Sequence, residues 1–429
     1  MRLLAARGLI ELRPGAGAFR AAAATPAAPP DTSWQQVVLA TGIGDTPSGI
    51  PERAARADGL LMSLTTPPAG AVNMSGGYLP AAHQPGAALA VALGRAGRRV
   101  GAWTTPPVEG IAELRDWFAL EVGGSVARSD VLICAGGQPG LALIVRALTR
   151  PADPVVVESP TYPGVLASIG ASDARPIPVP VDDAGMRPEL LKEALHRSGS
   201  RLVVLQPMYQ NPTGACLPES RREEILRIVA EHGAFVVEDD FARYLRHADA
   251  PPAPPPMVSR DPDGRVIHLR SLTKATSPNL RVGAIIARGP VLAHLRAAQV
   301  IDSFFVPRPL QETAVELVSS RAWPQHLARL GRDLAERRRL AVQIVGRHLG
   351  PGRVAPTGGY HLWLALPPGA VDTEVAASAL RRGAAITPGR PYFPTDPTSD
   401  HIRVSYCAAE TTADLVTGLH RLAAAIDNQ

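Results

Sequence analysis

Five short apolar runs between residues 155 and 286 restrict this chain to a narrow group of folds. Each run is four or five residues long, is dominated by valine, leucine and isoleucine, and shows no alternation of apolar and polar residues. Such runs are typical of strands buried on both faces, as in a parallel sheet covered by helices. They occupy residues 155–158, 202–205, 235–238, 266–269 and 282–286. The sequence therefore predicts a large, mostly parallel sheet.

Segments with helical periodicity lie between these runs. In residues 219–231, for example, Ile225, Leu226 and Val229 fall on one face of a helix. Alternating strands and helices predict an α/β architecture. Beyond about residue 311 the chain changes to long helices with strands near residues 360–366 and 401–406, which predicts a smaller α+β domain. A ligand site is expected in the cleft between the two domains.

Composition excludes several classes of protein. With 45% hydrophobic and 19% charged residues, the 429-residue chain is neither a disordered protein nor a coiled coil. Its cysteines, Cys134, Cys216 and Cys407, are widely spaced, which argues against a disulfide framework or a zinc site and favours the reducing cytoplasm. No run approaches the ~18 consecutive apolar residues of a membrane span, so no membrane partner is expected.

Lysine is almost absent from this arginine-rich chain. Of the 44 lysine and arginine residues, 42 are arginines, and the two lysines are Lys192 and Lys274. Because arginine stays protonated and is not a usable amine nucleophile, a retained lysine indicates a position where guanidinium cannot substitute. Lys192 lies in a predicted helix with a charged face, so a solvated surface role is expected for it. Lys274 needs a different explanation.

In an open parallel sheet, ligands bind beyond the carboxyl ends of the strands, so the residues that follow each run are candidates for a site. Gly136, Gly137 and Gln138 open a predicted helix, where free backbone amides bind phosphate, although a plain tight turn is an alternative. Tyr162 follows the next run and either stacks on a planar ligand or packs on a neighbouring proline.

Polar side chains follow two further runs. Asn211, in Asn-Pro-Thr-Gly, either offers its amide to a ligand oxygen or forms an ordinary turn. Asp239 and Asp240 end a buried strand, where an unpaired carboxylate is costly, so they need a cationic partner unless they cap a helix. Because no histidine and aspartate cluster at ligand spacing accompanies them, no metal is expected, and a protonated ring nitrogen is favoured.

Lys274 lies in the segment Ser271-Leu-Thr-Lys, and Arg281 follows it seven residues later. A lysine with a lowered pKa forms Schiff bases, while serine and arginine bind phosphate. A phosphate-bearing aldehyde that is joined to lysine, with a carboxylate at its ring nitrogen, is pyridoxal phosphate (PLP). The residues therefore predict PLP as the cofactor.

Taken in order, these motifs resemble those of the fold type I PLP-dependent aminotransferases, in particular the aminotransferase-like domain of GabR/MocR-type regulators of the GntR family. The resemblance extends from about residue 70 to the C-terminus. It implies a homodimer that transfers an amino group from an α-amino acid to a 2-oxo acid through a Schiff base on Lys274. The large PLP-binding domain would be residues 71–310 and the small C-terminal domain residues 311–429.

The resemblance also implies a role for each motif. Lys274 would be the catalytic residue, and Asp239 would keep the pyridine nitrogen protonated. Asn211 would contact the phenolic oxygen of the ring, and Tyr162 would stack on the ring. Arg403, in His-Ile-Arg-Val-Ser, would bind the α-carboxylate of the substrate. The phosphate side of the site would comprise Gly136, Gly137, Gln138, Ser271 and Arg281.

Two residues depart from the family pattern. Phe241 stands where related proteins often carry a tyrosine whose phenol assists the asparagine at the ring oxygen. The loss of that hydrogen bond predicts a higher pKa for the Schiff base than in tyrosine-bearing relatives. Gly164 stands where GabR-like proteins place an arginine, so the resemblance does not imply recognition of a GABA-type ligand.

The N-terminal residues suggest an alternative function. Residues 1–22 look like the last part of a GntR-type winged helix, with residues 23–70 as linker and N-terminal arm; an unrelated leader is the other interpretation. The alternative to an enzyme is a transcriptional regulator that uses the PLP domain as an effector sensor. DNA binding is expected only if a complete winged helix precedes Met1, because a recognition helix needs a supporting helix. Racemase or lyase chemistry would use the same lysine.

Overall fold

The computed structural model describes residues 1–6, 9–21, 57–349, 355–397 and 399–427. Their packing separates two units, Met1–Glu52 and Arg53–Gln429. The described part of the first unit consists of helix α1 (Arg2–Ala6) and an antiparallel hairpin of β1 (Ile10–Arg13) and β2 (Gly17–Arg20). The winged-helix interpretation of residues 1–22 stays a prediction. Much of the predicted linker, at residues 22–56, lies outside the described residues.

The second unit alternates helices and strands along the chain. Its strands within the described residues are β3 (Val72–Asn73), β4 (Val131–Cys134), β5 (Pro154–Ser159), β6 (Arg175–Asp182), β7 (Gly185–Met186), β8 (Leu202–Leu205), β9 (Phe235–Asp239), β10 (Val266–Ser271), β11 (Gly283–Ile286), β12 (His361–Ala365), β13 (Ala384–Ala385), β14 (Thr387–Pro388) and β15 (His401–Ser405). Its α-helices there are α2 (Asp58–Leu64), α3 (Gly86–Ala96), α4 (Ala112–Val122), α5 (Gly137–Leu148), α6 (Pro163–Ala171), α7 (Pro188–Ser198), α8 (Glu219–Glu231), α9 (Pro290–Ser303), α10 (Arg308–Val318), α11 (Ala322–Leu349), α12 (Asp372–Arg381) and α13 (Thr412–Ile426).

Eight strands of the described residues form the main sheet in the order β4-β11-β10-β9-β8-β5-β6-β7. Strands β6, β5, β8, β9 and β10 pair in parallel, whereas β11 runs antiparallel to both of its neighbours. All five predicted apolar runs are strands of this sheet. The predicted α/β fold with a mostly parallel sheet is confirmed.

The apolar runs are buried on both faces because alternate residues pack into opposite hydrophobic clusters. Val156, Val203 and Val236 belong to the cluster on one face of the sheet. Val157 and Val204 belong to the cluster on the other face, and all five side chains are at most 1% exposed. Polar residues would be unpaired on either face, which explains the absence of alternation in the sequence.

Two smaller sheets join distant parts of the chain. Strands β12, β15 and β14 pair in that order, and β13 pairs in parallel with β3, so that Val72 lies opposite Ala384. The segment after β3 also contacts β15, because the Met74 carbonyl accepts a hydrogen bond from the Ser405 amide at 2.7 Å. Residues near position 75 are thereby fixed against the C-terminal region. No helix among the described residues combines the length and apolar character that crossing a bilayer requires.

Candidate active site

The carboxyl ends of the central strands surround an enclosed cavity of about 70 Å³. It adjoins a second cavity of about 260 Å³ that extends toward helix α2. Of the ten predicted site residues, Gly137, Gln138, Tyr162, Asn211, Asp239, Ser271, Lys274 and Arg281 line the first cavity, and Arg403 lines the second. Gly136 lies beside the first cavity, in contact with Arg281. The structure therefore brings the predicted residues together.

Lys274 extends from the loop after β10 into the cavity. Its Nζ donates a hydrogen bond to the Gly77 carbonyl at 2.8 Å and lies 4.0 Å from the centroid of the Tyr78 ring. Burial lowers the pKa of Lys274 to about 8, and the positive charges of Arg403 and Arg281 act in the same direction. A substantial fraction of the amine is therefore neutral near pH 8, as a nucleophilic lysine requires. The other lysine, Lys192, is exposed and pairs with Glu231 at 3.3 Å, as predicted.

One end of the cavity is suited to an anion. Gly136 precedes helix α5 with φ of 97°, a left-handed conformation that strongly favours glycine. A Cβ atom at Gly136 would lie 3.4 Å from the guanidinium of Arg281, so the arginine packs directly on this turn. The Ser271 hydroxyl lies nearby, where it accepts from the Thr273 amide at 3.1 Å. A helix N-terminus, a guanidinium and a hydroxyl together provide the donors that phosphate needs.

Gly164 makes room for Tyr162 and Gln138. A Cβ atom at Gly164 would lie 2.2 Å from both Tyr162 Cε1 and Gln138 Oε1, closer than any carbon contact allows. Gln138 Nε2 donates to the Gly164 carbonyl at 3.1 Å and to Ser168 Oγ at 3.0 Å. The arginine that GabR-like proteins carry here would displace both side chains. Glycine at this position therefore fixes the aromatic wall of the cavity.

Asp239 is the carboxylate that faces the cavity. It is 4% exposed, and its Oδ2 accepts a hydrogen bond from Gln206 Nε2 at 2.7 Å. Burial raises the pKa of Asp239 to about 7, against the lowering effect of the Gln206 hydrogen bond. A cation placed against it would relieve this cost, and no group of histidine, cysteine or carboxylate side chains in the described ranges is arranged to hold a metal ion.

Asp240 points away from the cavity into a buried ion-pair network. Its Oδ2 accepts from Arg270 Nη2 at 2.8 Å and from Arg243 Nε. Although burial opposes ionisation, the guanidinium groups of Arg243 and Arg270 hold the pKa of Asp240 well below its usual range. The two adjacent aspartates thus have different environments, since successive residues of a strand face opposite sides of the sheet.

Arg403 is buried at the second cavity, and not all of its hydrogen-bond donors have partners in the described part of the chain. Its Nη1 donates to Asn211 Oδ1 at 3.3 Å, and its Nη2 donates to the Ser75 carbonyl. The Nε atom is buried and has no hydrogen-bond partner among the described residues. The rings of Tyr392 and Tyr360 lie 5.4 and 5.9 Å from the guanidinium carbon. A guanidinium with one unused donor that is enclosed by aromatic rings is suited to a carboxylate ligand.

The sequence interpretation missed several residues that line the cavity. Gln206 directly follows β8, the position that singled out other candidates, and its Oε1 accepts from the Asn211 amide at 3.0 Å. Tyr78 and Tyr360 also line the cavity, and each follows a Gly-Gly pair that could have drawn attention to it. Phe241 lies edge-on to Tyr360, with ring centroids 6.3 Å apart. Gln206 is thus a bridge between Asp239 and Asn211.

We expect Gln206→Leu to weaken binding of PLP, the cofactor predicted from the sequence, by about 10- to 100-fold, because it removes a hydrogen bond to an ionisable carboxylate and one that orients Asn211. Spectroscopic titration of the cofactor-free protein with PLP would measure the change. The matched control is Gln299→Leu, since Gln299 is equally buried but donates only to the Val108 carbonyl, away from both cavities. Equal affinities in a folded Gln206→Leu protein and this control would contradict the role.

Comparisons with known proteins agree with this geometry. The family model described as aminotransferase class I and II matches residues 73–422. A 2-aminoadipate transaminase of Thermus thermophilus is 31% identical over 373 residues, which are 85% of this chain and 92% of that protein. The transcriptional regulator TauR of Rhodobacter capsulatus is 33% identical over 308 residues, 71% of this chain and 62% of the regulator. The solved structure of LysN, an α-aminoadipate aminotransferase of Thermus thermophilus complexed with N-(5'-phosphopyridoxyl)-L-leucine, superimposes with a TM-score of 0.81 and 28% identity, covering 92% of this chain and 98% of that one.

Proposed function

Because this chain belongs to the aminotransferase class I and II family, we propose that it is a PLP-dependent enzyme that transfers an amino group from an α-amino acid to a 2-oxo acid. The observation that carries the proposal is the position of Lys274. Lys274 is half-buried, its amine has a pKa lowered to about 8, and it shares one cavity with Asp239 and Arg281. Lysine, carboxylate and phosphate-binding arginine are the groups that this cofactor requires.

The residues of the first cavity fit PLP. Lys274 would bind the aldehyde carbon, and Asp239 would pair with the protonated ring nitrogen, which removes the cost of its burial. Arg281, Ser271 and the start of helix α5 would hold the phosphate. Tyr162 would lie against the ring, and Asn211 near its phenolic oxygen. When bound, PLP supplies an electron sink that stabilises negative charge on the substrate α-carbon.

Lys274 would also move the proton in this reaction. Its Nζ has a pKa close to neutral pH, so the neutral amine accepts a proton and the ammonium form returns it with little loss of free energy. The hydrogen bond to the Gly77 carbonyl, at 2.8 Å, holds Nζ beside the ring of Tyr78. These contacts orient the amine and shield it from bulk water.

Arg403 would bind the α-carboxylate of the amino acid and then that of the oxo acid, since both substrates share this group. The free Nε and the adjacent Nη atoms form a fork that matches a carboxylate. The rings of Tyr360 and Tyr392 enclose the guanidinium and exclude water, which strengthens the ion pair.

We also propose that the enzyme is a cytoplasmic homodimer. Large apolar side chains are exposed on the second unit: Trp103 is 81%, Ile301 85% and Phe304 68% exposed. A second copy of the chain would cover such surfaces. The three cysteines are free thiols, which suits a reducing compartment.

The similarity to TauR favours a second candidate, an effector sensor in which an amino acid binds to the same cofactor without being converted. The visible spectrum of the PLP-loaded protein, recorded with a panel of amino acids and no oxo acid, separates the two. Loss of the Schiff-base band with release of pyridoxamine phosphate supports the enzyme. A persistent shifted band favours the sensor, and no Schiff-base band after addition of PLP contradicts both.

A further inference from the structure

The cavity of about 260 Å³ lies between Lys274, Arg403 and the N-terminal helix α2. The side chain of a substrate whose α-carboxylate is bound by Arg403 and whose α-carbon lies near Lys274 would extend into this space. Its outer wall is formed by Gly59, Leu60, Ser63 and Leu64 of α2 together with Pro139 and Pro163. The chemistry of this wall therefore decides which side chains the site accepts.

Three cationic side chains line this cavity within the described residues, and each already has a role common to every substrate. Lys274 and Arg281 serve the cofactor, and Arg403 serves the α-carboxylate. The described lining contains no aspartate or glutamate. The described lining thus offers no further charged group to an acidic or a basic side chain, and an unpaired charge placed against it would be strongly disfavoured.

The wall contributed by α2 is apolar. Leu60 and Leu64 are four residues apart, so they lie on the same face of the helix. The one hydroxyl of the helix wall, Ser63 Oγ, donates to the Leu60 carbonyl at 2.8 Å. Gly59 permits close packing, because a Cβ atom there would lie 2.9 Å from Pro163 Cβ and 3.1 Å from Pro391 Cβ. The helix is therefore held against the mouth of the site, with its leucines available to a ligand.

We propose that this cavity is the side-chain subsite and that it selects amino acids with neutral, apolar side chains, of the kind found in leucine and methionine. The inference rests on the proposed function and specifies its substrate class. The Thermus thermophilus relative is named for a dicarboxylic amino acid. The solved LysN structure, by contrast, is complexed with a phosphopyridoxyl derivative of L-leucine. In this chain the described lining provides no cation beyond Lys274, Arg281 and Arg403 for a second carboxylate.

Substrate analogues that lack the amino group test the subsite apart from the chemistry. Calorimetric titration of the PLP-loaded protein should show at least tenfold tighter binding of 4-methylpentanoate, the leucine analogue, than of glutarate, the glutamate analogue. Tighter binding of glutarate would overturn the inference. A parallel spectroscopic assay with leucine and glutamate tests the proposed function. If neither amino acid reacts, the aminotransferase proposal is contradicted, while the binding of the analogues still tests the subsite.

A matched pair of variants tests the part played by α2. Leu64→Arg places a cation in the cavity wall and should strengthen glutarate binding at least tenfold while weakening that of 4-methylpentanoate. Leu61→Arg adds the same charge to the same helix at a residue that is 56% exposed and lines neither cavity, so it should change both affinities less than twofold. Identical effects of the two folded variants would show that α2 does not border the subsite.

Discussion

Replacement of Lys274 by arginine should lower the rate of amino transfer by at least about 10⁴-fold, because the guanidinium stays protonated and neither forms a Schiff base nor accepts a proton. Steady-state assays with an apolar amino acid and a 2-oxo acid would measure the loss. Lys274→Ala is the companion variant, because it removes both the amine and the charge. Comparison of the two variants separates the loss of the amine from the free-energy cost of burying a permanent cation.

The near absence of lysine gives this test a natural control. Lys192→Arg changes the other lysine, which is exposed and pairs with Glu231, and should leave the rate within twofold of the unmodified protein. After borohydride reduction of the PLP-loaded protein, mass spectrometry should find the phosphopyridoxyl group on the peptide that contains Lys274. Label on the Lys192 peptide, or an active Lys274→Arg protein, would contradict the assignment.

Asp239→Asn should lower amino transfer by about 10²–10³-fold, since a neutral amide does not hold the ring nitrogen protonated. The same variant should change how stability depends on pH. In the cofactor-free protein the pKa of Asp239 is raised by burial from 3.8 to about 7. Its contribution to the free energy of unfolding is present in full below pH 3.8 and is lost as pH rises to about 7, because the folded state retains a proton that the unfolded state releases.

Chemical denaturation of the cofactor-free protein between pH 5 and 7 would measure this contribution. Over this interval the free energy of unfolding of the unmodified protein should fall by up to about 2–3 kcal/mol more than that of Asp239→Asn. Glu158 remains in both proteins, and its pKa, raised to about 8 mainly by burial, lowers the free energy of unfolding of both as pH rises. Equal pH dependence of the two proteins would show that Asp239 ionises in its ordinary range.

The apolar runs predicted the central strands because a strand that is buried on both faces needs apolar residues at successive positions. They gave no strand directions, so the antiparallel orientation of β11 was not foreseen. Strand β6 was missed for another reason: it contains Pro176, Pro178 and Pro180, residues that normally argue against a strand. Because these prolines alternate, their missing donors all lie on one edge of the strand, and pairing with β5 survives along the other.

The site was predictable where its residues follow parallel strands, since the ends of these strands meet at one edge of the sheet. That Asp239, Asn211 and Lys274 lie at one cavity is predictable in this way. Tyr78 and Tyr360 come from segments outside that edge, and their proximity to Lys274 depends on the whole fold. Gln206 was in the expected place, but its contact with Asp239 depends on a side-chain conformation that no sequence pattern reports.

The attachment of residues 72–77 to the C-terminal strands sets the order in which a growing chain can complete its site. The main sheet contains no strand beyond Ile286 among the described residues, so it can form early in synthesis. The carbonyls of Ser75 and Gly77 contact Arg403 and Lys274 from a segment that pairs with residues 383–405. Until those residues leave the ribosome, one wall of the pocket has no support. We therefore expect the proposed cofactor to be retained only after residues 383–405 have been synthesised, late in the biogenesis of the protein.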